Sequence, residues 1–163
     1  MTDFERLLAV LTQGRVEYIV IGGFAATAHG SAYLTVDLDI VYGRTPENLE
    51  RLAAALDALQ PYLRGAPPGL PFRLDTDTLR RGLNFTLTTT AGDLDLIGEA
   101  AGGGTYEALL PHSERRDLFG LEVRFVDLVT LIRLKRAAGR PKDLERVAEL
   151  EVLREERDRA GES

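Results

Sequence analysis

Two aspartates flank a single leucine in DLDI, residues 37–40, and the pattern returns as DLDL at residues 93–96. Side chains two apart on a β-strand share a face, with Cα atoms about 6.5–7 Å apart, so Asp37 and Asp39 converge on one site while Leu38 and Ile40 face the core. Carboxylates held that close repel and raise one another's pKa unless a positive group sits between them. A divalent cation supplies that charge. Mg²⁺ or Mn²⁺ suits the pair, because such ions take a few carboxylates together with waters and substrate phosphates, and paired ions can stabilise both attacking and leaving oxygens in phosphoryl transfer. A strand with one solvated polar face accounts equally well for an isolated triplet, so the context has to decide.

That context begins with YIVI at residues 18–21, an apolar β-like run broken by Gly22-Gly23 and followed by FAATAH, small and Ala-rich enough for a short helix ended by Gly30. A strand that stops on Gly-Gly and opens a helix leaves backbone N–H groups free to meet phosphates. A tight turn demanded by packing would use the same glycines without any ligand. The chain has no cysteine, which excludes disulfides and thiolate ligands and leaves oxygen or its two histidines to hold a metal. His29 and His112 show no ligand spacing and read as packed or solvated side chains. A net charge of −6 disfavours a broad nucleic-acid surface, although RLKRAAGRPK at 133–142 forms a local basic cluster with Lys135, Arg140 and Lys142. Basic residues near a helix C-terminus also complement its dipole, the plainer reading of that cluster.

Taken together, the hydrophobic strand, Gly-Gly, thirteen intervening residues and Asp-h-Asp-h resemble the signature of the DNA polymerase β-like nucleotidyltransferases. DLDLIG at 93–98, GTYEALLP at 104–111 and LIRLKRAAGRPKDLERVAEL at 131–150 extend the resemblance over nearly the whole chain after the first helix, toward a small bacterial branch with abortive-infection and toxin-type members. The resemblance implies that Asp95 is the third carboxylate, with Asp93, which abuts the Ala91-Gly92 turn, as the alternative. It implies further that Asp37 and Asp39 bind the metals and that Asp95 binds the catalytic one and helps deprotonate the acceptor. Gly22 and Gly23 would offer N–H groups to the triphosphate, and Lys135, Arg140 and Lys142, in a stretch that also matches at Asp143, would face the nucleotide or acceptor. Tyr33 stands where many relatives carry Arg. The implied reaction moves a nucleoside monophosphate from an NTP to an acceptor hydroxyl on tRNA or protein, with a cognate antitoxin as partner of a toxin-type member. Two alternatives stand beside it: an aminoglycoside-type transferase, and a degenerate, non-catalytic module that acts as a binding partner.

An α/β fold must position these groups: a short mixed sheet flanked by helices, with a C-terminal helical pair walling one side of the cleft. Residues 3–13 show the apolar spacing of one helical face, VEYIVI and LTVDLDIVY read as strands, and Thr45-Pro46 starts a helix that runs to about Gln60. RGAPPGLP at 64–71 is a surface loop. LNFTLTTT and DLDLIG form a hairpin about Ala91-Gly92, and RRDLFGLEVRFV another about Phe119-Gly120. Asp127 caps LVTLIRLKRAA, Gly139 stops it, and Pro141 opens the last helix. The expectation is a single domain over 1–163, with its core at about 15–126 and its helical pair at about 127–160. MTDFERLL lacks the basic, then apolar, start of a signal peptide, and no apolar run approaches a membrane span, so a cytoplasmic protein is expected.

Overall fold

A computed structural model describes residues 1–161. Its centre is a seven-stranded mixed sheet in the order β3-β4-β5-β2-β1-β7-β6. The strands are β1 (Tyr18–Ile21), β2 (Asp37–Tyr42), β3 (Tyr62–Leu63), β4 (Phe85–Thr89), β5 (Gly92–Ile97), β6 (Ser113–Leu118) and β7 (Leu121–Val126). The helices are α1 (Phe4–Gln13), α2 (Gly22–Ala28), α3 (Pro46–Asp57), α4 (Thr76–Arg81), α5 (Tyr106–Leu109), α6 (Leu128–Ala138) and α7 (Pro141–Gly161). Among the described residues, no helix is long and apolar enough to cross a membrane.

Local chemistry sets most boundaries. The Asp3, Thr45 and Asp127 side chains accept from backbone N–H groups of Arg6, Asn48 and Thr130, capping α1, α3 and α6, and Pro46 takes the first helical position of α3. Gly139 ends α6 in the left-handed conformation. The second hairpin turns where the sequence predicts, at Phe119-Gly120, whereas the first turns one residue earlier than expected, at Thr90-Ala91, because Gly92 already pairs with Thr89 as the first residue of β5.

The sheet is larger than the short one expected, and two small elements add to it unannounced. The two-residue strand β3 sits beside the Gly/Pro-rich segment and pairs with β4, and α4 offers only Leu79 to the interior, too little apolar periodicity to read. Leu7, Leu8 and Leu11 of α1 are fully buried in the same hydrophobic cluster as the sheet. Gly22-Gly23 does not merely break the strand but forms the first turn of α2. α3 stops at Asp57, short of Gln60. The strand expected from Leu34 begins at Asp37, since Asp37↔Asp93 opens its ladder to β5 and the pairing with β1 reaches only Asp39. Leu34 and Val36, just outside that ladder, are exposed.

The position of β2 governs the site. It lies between β1, to which it runs antiparallel, and β5, to which it runs parallel in the register Asp37↔Asp93 and Asp39↔Asp95. Leu38 and Ile40 are fully buried on one face, as are Leu94 and Leu96 beside them, so the four aspartates all rise from the other.

Candidate active site

Parallel pairing sets the two D-L-D triplets side by side, and one oxygen from each of Asp37, Asp39 and Asp95 lies within 4.8 Å of the others. Asp93 stands opposite Asp37 at the outer end of the same row. Asp39 is the deepest of the group: burial first, then the charges of Asp37 and Asp95, push its carboxyl up to about 8, with Lys135 pulling the other way. Its Oδ1 is buried without a hydrogen-bond partner. Three clustered carboxylates with an unsatisfied buried oxygen form an all-oxygen donor set, which fits a hard divalent cation such as Mg²⁺ or Mn²⁺.

Gly22 lies directly against this group. Its φ is +72°, and a Cβ placed on it would come within 2.9 Å of Asp39 Cγ and nearer still to Oδ2, so only glycine lets α2 start here without displacing the carboxylate. Gly23 is tight for a different reason, because a Cβ there would meet the Thr35 hydroxyl at 2.7 Å. The first turn of α2 is thereby pressed onto the start of β2 and the residues just before it.

These groups line a cleft of 410 Å³ whose far wall is α6 and the α6–α7 junction. Lys135 is buried at 7% exposure, and burial lowers its pKa, against the attraction of Asp143 and Asp39. Arg140 donates from Nε to Asp143 Oδ2 at 2.6 Å. Burial alone would push the Asp143 carboxyl up, but the hydrogen bond and charge of Arg140 together with Lys135 hold it below its usual range. Asp143 is thus a buried anion between two cations of the wall. Lys142 is exposed on the first turn of α7 and does not line the cleft.

Of the residues singled out in the sequence, Asp39, Asp95, Gly22, Lys135 and Arg140 line this space and Asp37 stands beside Asp39 and Asp95, whereas Gly23 and Lys142 do not line it. Neither histidine lines the cleft. His29 is buried, with Nε2 at 2.8 Å from the Val126 carbonyl and Nδ1 facing Arg116 and Arg157, and burial lowers its pKa. His112 is exposed in a short turn after α5. Tyr33, also exposed, has the Arg146 guanidinium of α7 at 5.3 Å from its ring centre.

One participant has no signal in the sequence. Arg64, just after β3, reaches over β4 and donates from Nη2 to Asp95 Oδ1 and to the Leu87 carbonyl, both at 2.7 Å. Its Nη1 is 3.8 Å from Asp37 Oδ2 and its Nε is 3.5 Å from Asp93 Oδ2. Nothing in the 64–71 loop marks it; only the pairing of β3 with β4 brings it here.

A scan of protein-family models gives no match, and a search of curated proteins by sequence gives none either. Solved structures do match, over almost the whole chain. A Thermotoga maritima protein assigned as a nucleotidyltransferase is 14% identical, with TM-score 0.52 over 98% of this chain and 96% of that one. The antibiotic-resistance factor ANT(2'')-Ia is 17% identical, with TM-score 0.53 over 96% of this chain and 90% of that one; it is also known in complex with adenylyl-2''-tobramycin. An antigenic nucleotidyltransferase-like protein from Paracoccidioides brasiliensis is 15% identical, with TM-score 0.52 over 91% and 75%. At these identities the likeness is one of fold. The chain has the mixed α/β architecture of the nucleotidyltransferases.

Proposed function

We propose that this chain is a divalent-metal-dependent nucleotidyltransferase, which moves a nucleoside monophosphate from an NTP to an acceptor hydroxyl. The observation that carries the reading is the convergence of Asp37, Asp39 and Asp95 within 4.8 Å, with Asp39 and Asp95 lining a cleft walled by Lys135 and Arg140, on a nucleotidyltransferase fold. Mutually repelling carboxylates are costly to hold together, and a cation that binds only the folded protein recovers that cost.

Asp37, Asp39 and Asp95 would hold Mg²⁺ or Mn²⁺. When bound, the ion supplies charge neutralisation at the phosphates and polarises the oxygens at the reacting phosphorus. The acceptor oxygen forms a bond to the α-phosphorus as the bond to the bridging oxygen of pyrophosphate breaks, and the hydroxyl proton passes to Asp95. Lys135 offsets charge on the departing pyrophosphate, and Arg140, anchored by Asp143, lines its path. Backbone N–H groups of Gly22 and Gly23, of which Gly22 lines the opposite wall of the cleft, would be offered to the triphosphate. Lys142, outside the cleft, is placed to meet only a longer acceptor.

The resemblance of the sequence to toxin-type members favours tRNA or protein as acceptor, with an antitoxin as partner and a cytoplasmic setting where NTPs and Mg²⁺ are abundant. ANT(2'')-Ia, seen with adenylyl-2''-tobramycin, favours an aminoglycoside-type small molecule instead. Incubation with each labelled NTP and Mn²⁺, against separate tRNA, protein and aminoglycoside pools, decides among them. Label should reach one pool and should disappear with Asp37→Asn, and Lys135→Met should lower transfer at least tenfold, the scale of a lost electrostatic contact in the transition state. If no pool is labelled and neither metal nor nucleotide raises the thermal midpoint, the chain is a non-catalytic binding module.

A further inference from the structure

The carboxylate row already holds a cation, and that cation belongs to the chain itself. Arg64 is pinned at its backbone, whose N–H donates to Thr86 O at 3.0 Å, and at its far end, where Nη2 is shared between Leu87 O and Asp95 Oδ1. The guanidinium is half-buried, at 27% side-chain exposure. Its remaining contacts are incomplete: Nη1 stands 3.8 Å from Asp37, and Nε is buried without a hydrogen-bond partner although Asp93 Oδ2 lies at 3.5 Å. A planar fork of five donors normally pairs two-to-two with a carboxylate, and here it makes one close contact while three carboxylates surround it.

This geometry sets up a competition. Asp37 and Asp95 are two of the three carboxylates that would ligate a divalent cation, and the guanidinium occupies the space beside both. Two cations at that range repel, so both cannot engage the same oxygens. Asp93 is the one member of the row outside the close triad, and it faces the unsatisfied Nε. Gly65, next in the chain, has a φ of +79° in a turn closed by the Ala66 N–H on the Leu63 carbonyl, so a shift of the arginine toward Asp93 is a movement of its side chain.

We propose that Arg64 is the resident counter-ion of this site. It holds the carboxylates of β2 and β5 together in the metal-free protein, and it withdraws to Asp93 when a divalent cation takes the triad. Asp93 is then the second anchor of the arginine and not a metal ligand. The inference rests on the proposed metal-binding role of the triad. Metal occupancy and the position of Arg64 are coupled, so removing the arginine must tighten metal binding, by the reciprocity of linked equilibria.

Mn²⁺ binding without nucleotide, measured by calorimetric titration or by the electron paramagnetic resonance of free Mn²⁺, tests this in four proteins: wild type, Arg64→Met, Asp93→Asn and the double variant. Arg64→Met should tighten Mn²⁺ about tenfold or more and Asp93→Asn should weaken it by a similar factor. The double variant should match Arg64→Met, because an anchor has no function once the arginine is gone. A purely structural arginine predicts the opposite sign for Arg64→Met. Unchanged or weaker binding in that variant overturns the counter-ion role, and weakening by Asp93→Asn in both backgrounds makes Asp93 a ligand and overturns the anchor. Arg64→Lys keeps the charge but not the fork and should fall between wild type and Arg64→Met, so it carries the comparison if the methionine variant does not fold. Mn²⁺ bound by none of the folded proteins would overturn the metal-site reading itself, whereas equal affinity in wild type and Arg64→Met overturns only the inference about Arg64.

Discussion

Asp39→Asn is expected to make the metal-free protein more stable while abolishing metal-dependent transfer. In the folded state the Asp39 carboxyl is pushed up to about 8 from an ordinary 3.8, by burial and by the charges of Asp37 and Asp95. Between those two values the folded chain binds more protons at this group than the unfolded chain does, so the contribution of Asp39 to stability falls as pH rises from about 4 to about 8 and is level above that. Each tenfold change in proton affinity corresponds to roughly 1.4 kcal/mol, but Asp37 and Asp95 share the repulsion, so asparagine should return ~2–4 kcal/mol at pH 8. For a chain of this length that raises the thermal midpoint by about 5–10 °C. The gain should shrink as pH falls toward about 4 and be gone below that, where Asp39 is protonated in both states. Melting curves without metal from pH 4 to 9 give the result, and a variant no more stable than wild type at pH 8 would show that the carboxylate is not strained. Saturating Mn²⁺ should reverse the ranking, since it stabilises only the protein that retains the full triad. The same group makes metal affinity pH-dependent: below about 8 the cation must displace a proton from Asp39, so apparent affinity should climb with pH and level off there.

How far the sequence reveals this site depends on the range of the interactions involved. Asp37 and Asp39 share a face because side-chain direction on a strand alternates with period two, a local rule readable in four residues. That Asp95 completes the triad depends on the parallel register of β2 against β5, a pairing across more than fifty residues that no local rule fixes; the resemblance of DLDLIG to a family motif stood in for it. Lys135 and Lys142 look alike in the basic cluster, yet helix phase separates them. Lys135 falls among the inward positions Leu128, Leu131 and Ile132 of α6, whereas on α7 the inward positions are Asp143, Val147 and Leu150, which leaves Lys142 on the outer side. That distinction was legible from periodicity. Arg64 was not, because its place follows from a two-residue strand inside a segment whose composition reads only as loop. The exposed start of the expected strand at Leu34 has a similar cause: β propensity marks the residues, but a strand extends only as far as its partners do.

Gly22→Ala should cost the protein both stability and the metal binding proposed for the triad. The backbone there has φ +72°, which an L-residue with a Cβ adopts at a cost of about 1–2 kcal/mol, and the new methyl would also press on the Asp39 carboxylate. Gly120 offers a matched reference: its φ is +76° and nothing lies within 4 Å of its Cβ position, so Gly120→Ala carries the backbone cost alone. Gly22→Ala should therefore destabilise by at least about 1 kcal/mol more than Gly120→Ala in denaturant titration, the scale of overpacking in a closed space. It should weaken Mn²⁺ binding about tenfold or more by pushing Asp39 out of register with Asp37 and Asp95, while Gly120→Ala leaves metal affinity unchanged. The excess should shrink in an Asp39→Ala background, which removes the carboxylate and leaves only the Cβ at 3.0 Å, and disappear in an Asp39→Gly background, so that double-mutant comparison assigns the effect to the contact with residue 39. If Gly22→Ala instead matches Gly120→Ala in both stability and metal affinity, the close approach of α2 to Asp39 does not shape the site. A glycine that resembles a phosphate-loop element in the sequence thus acquires a second, prior function in the structure. It gives Asp39 the room to sit, unsatisfied at Oδ1, where a cation can reach it.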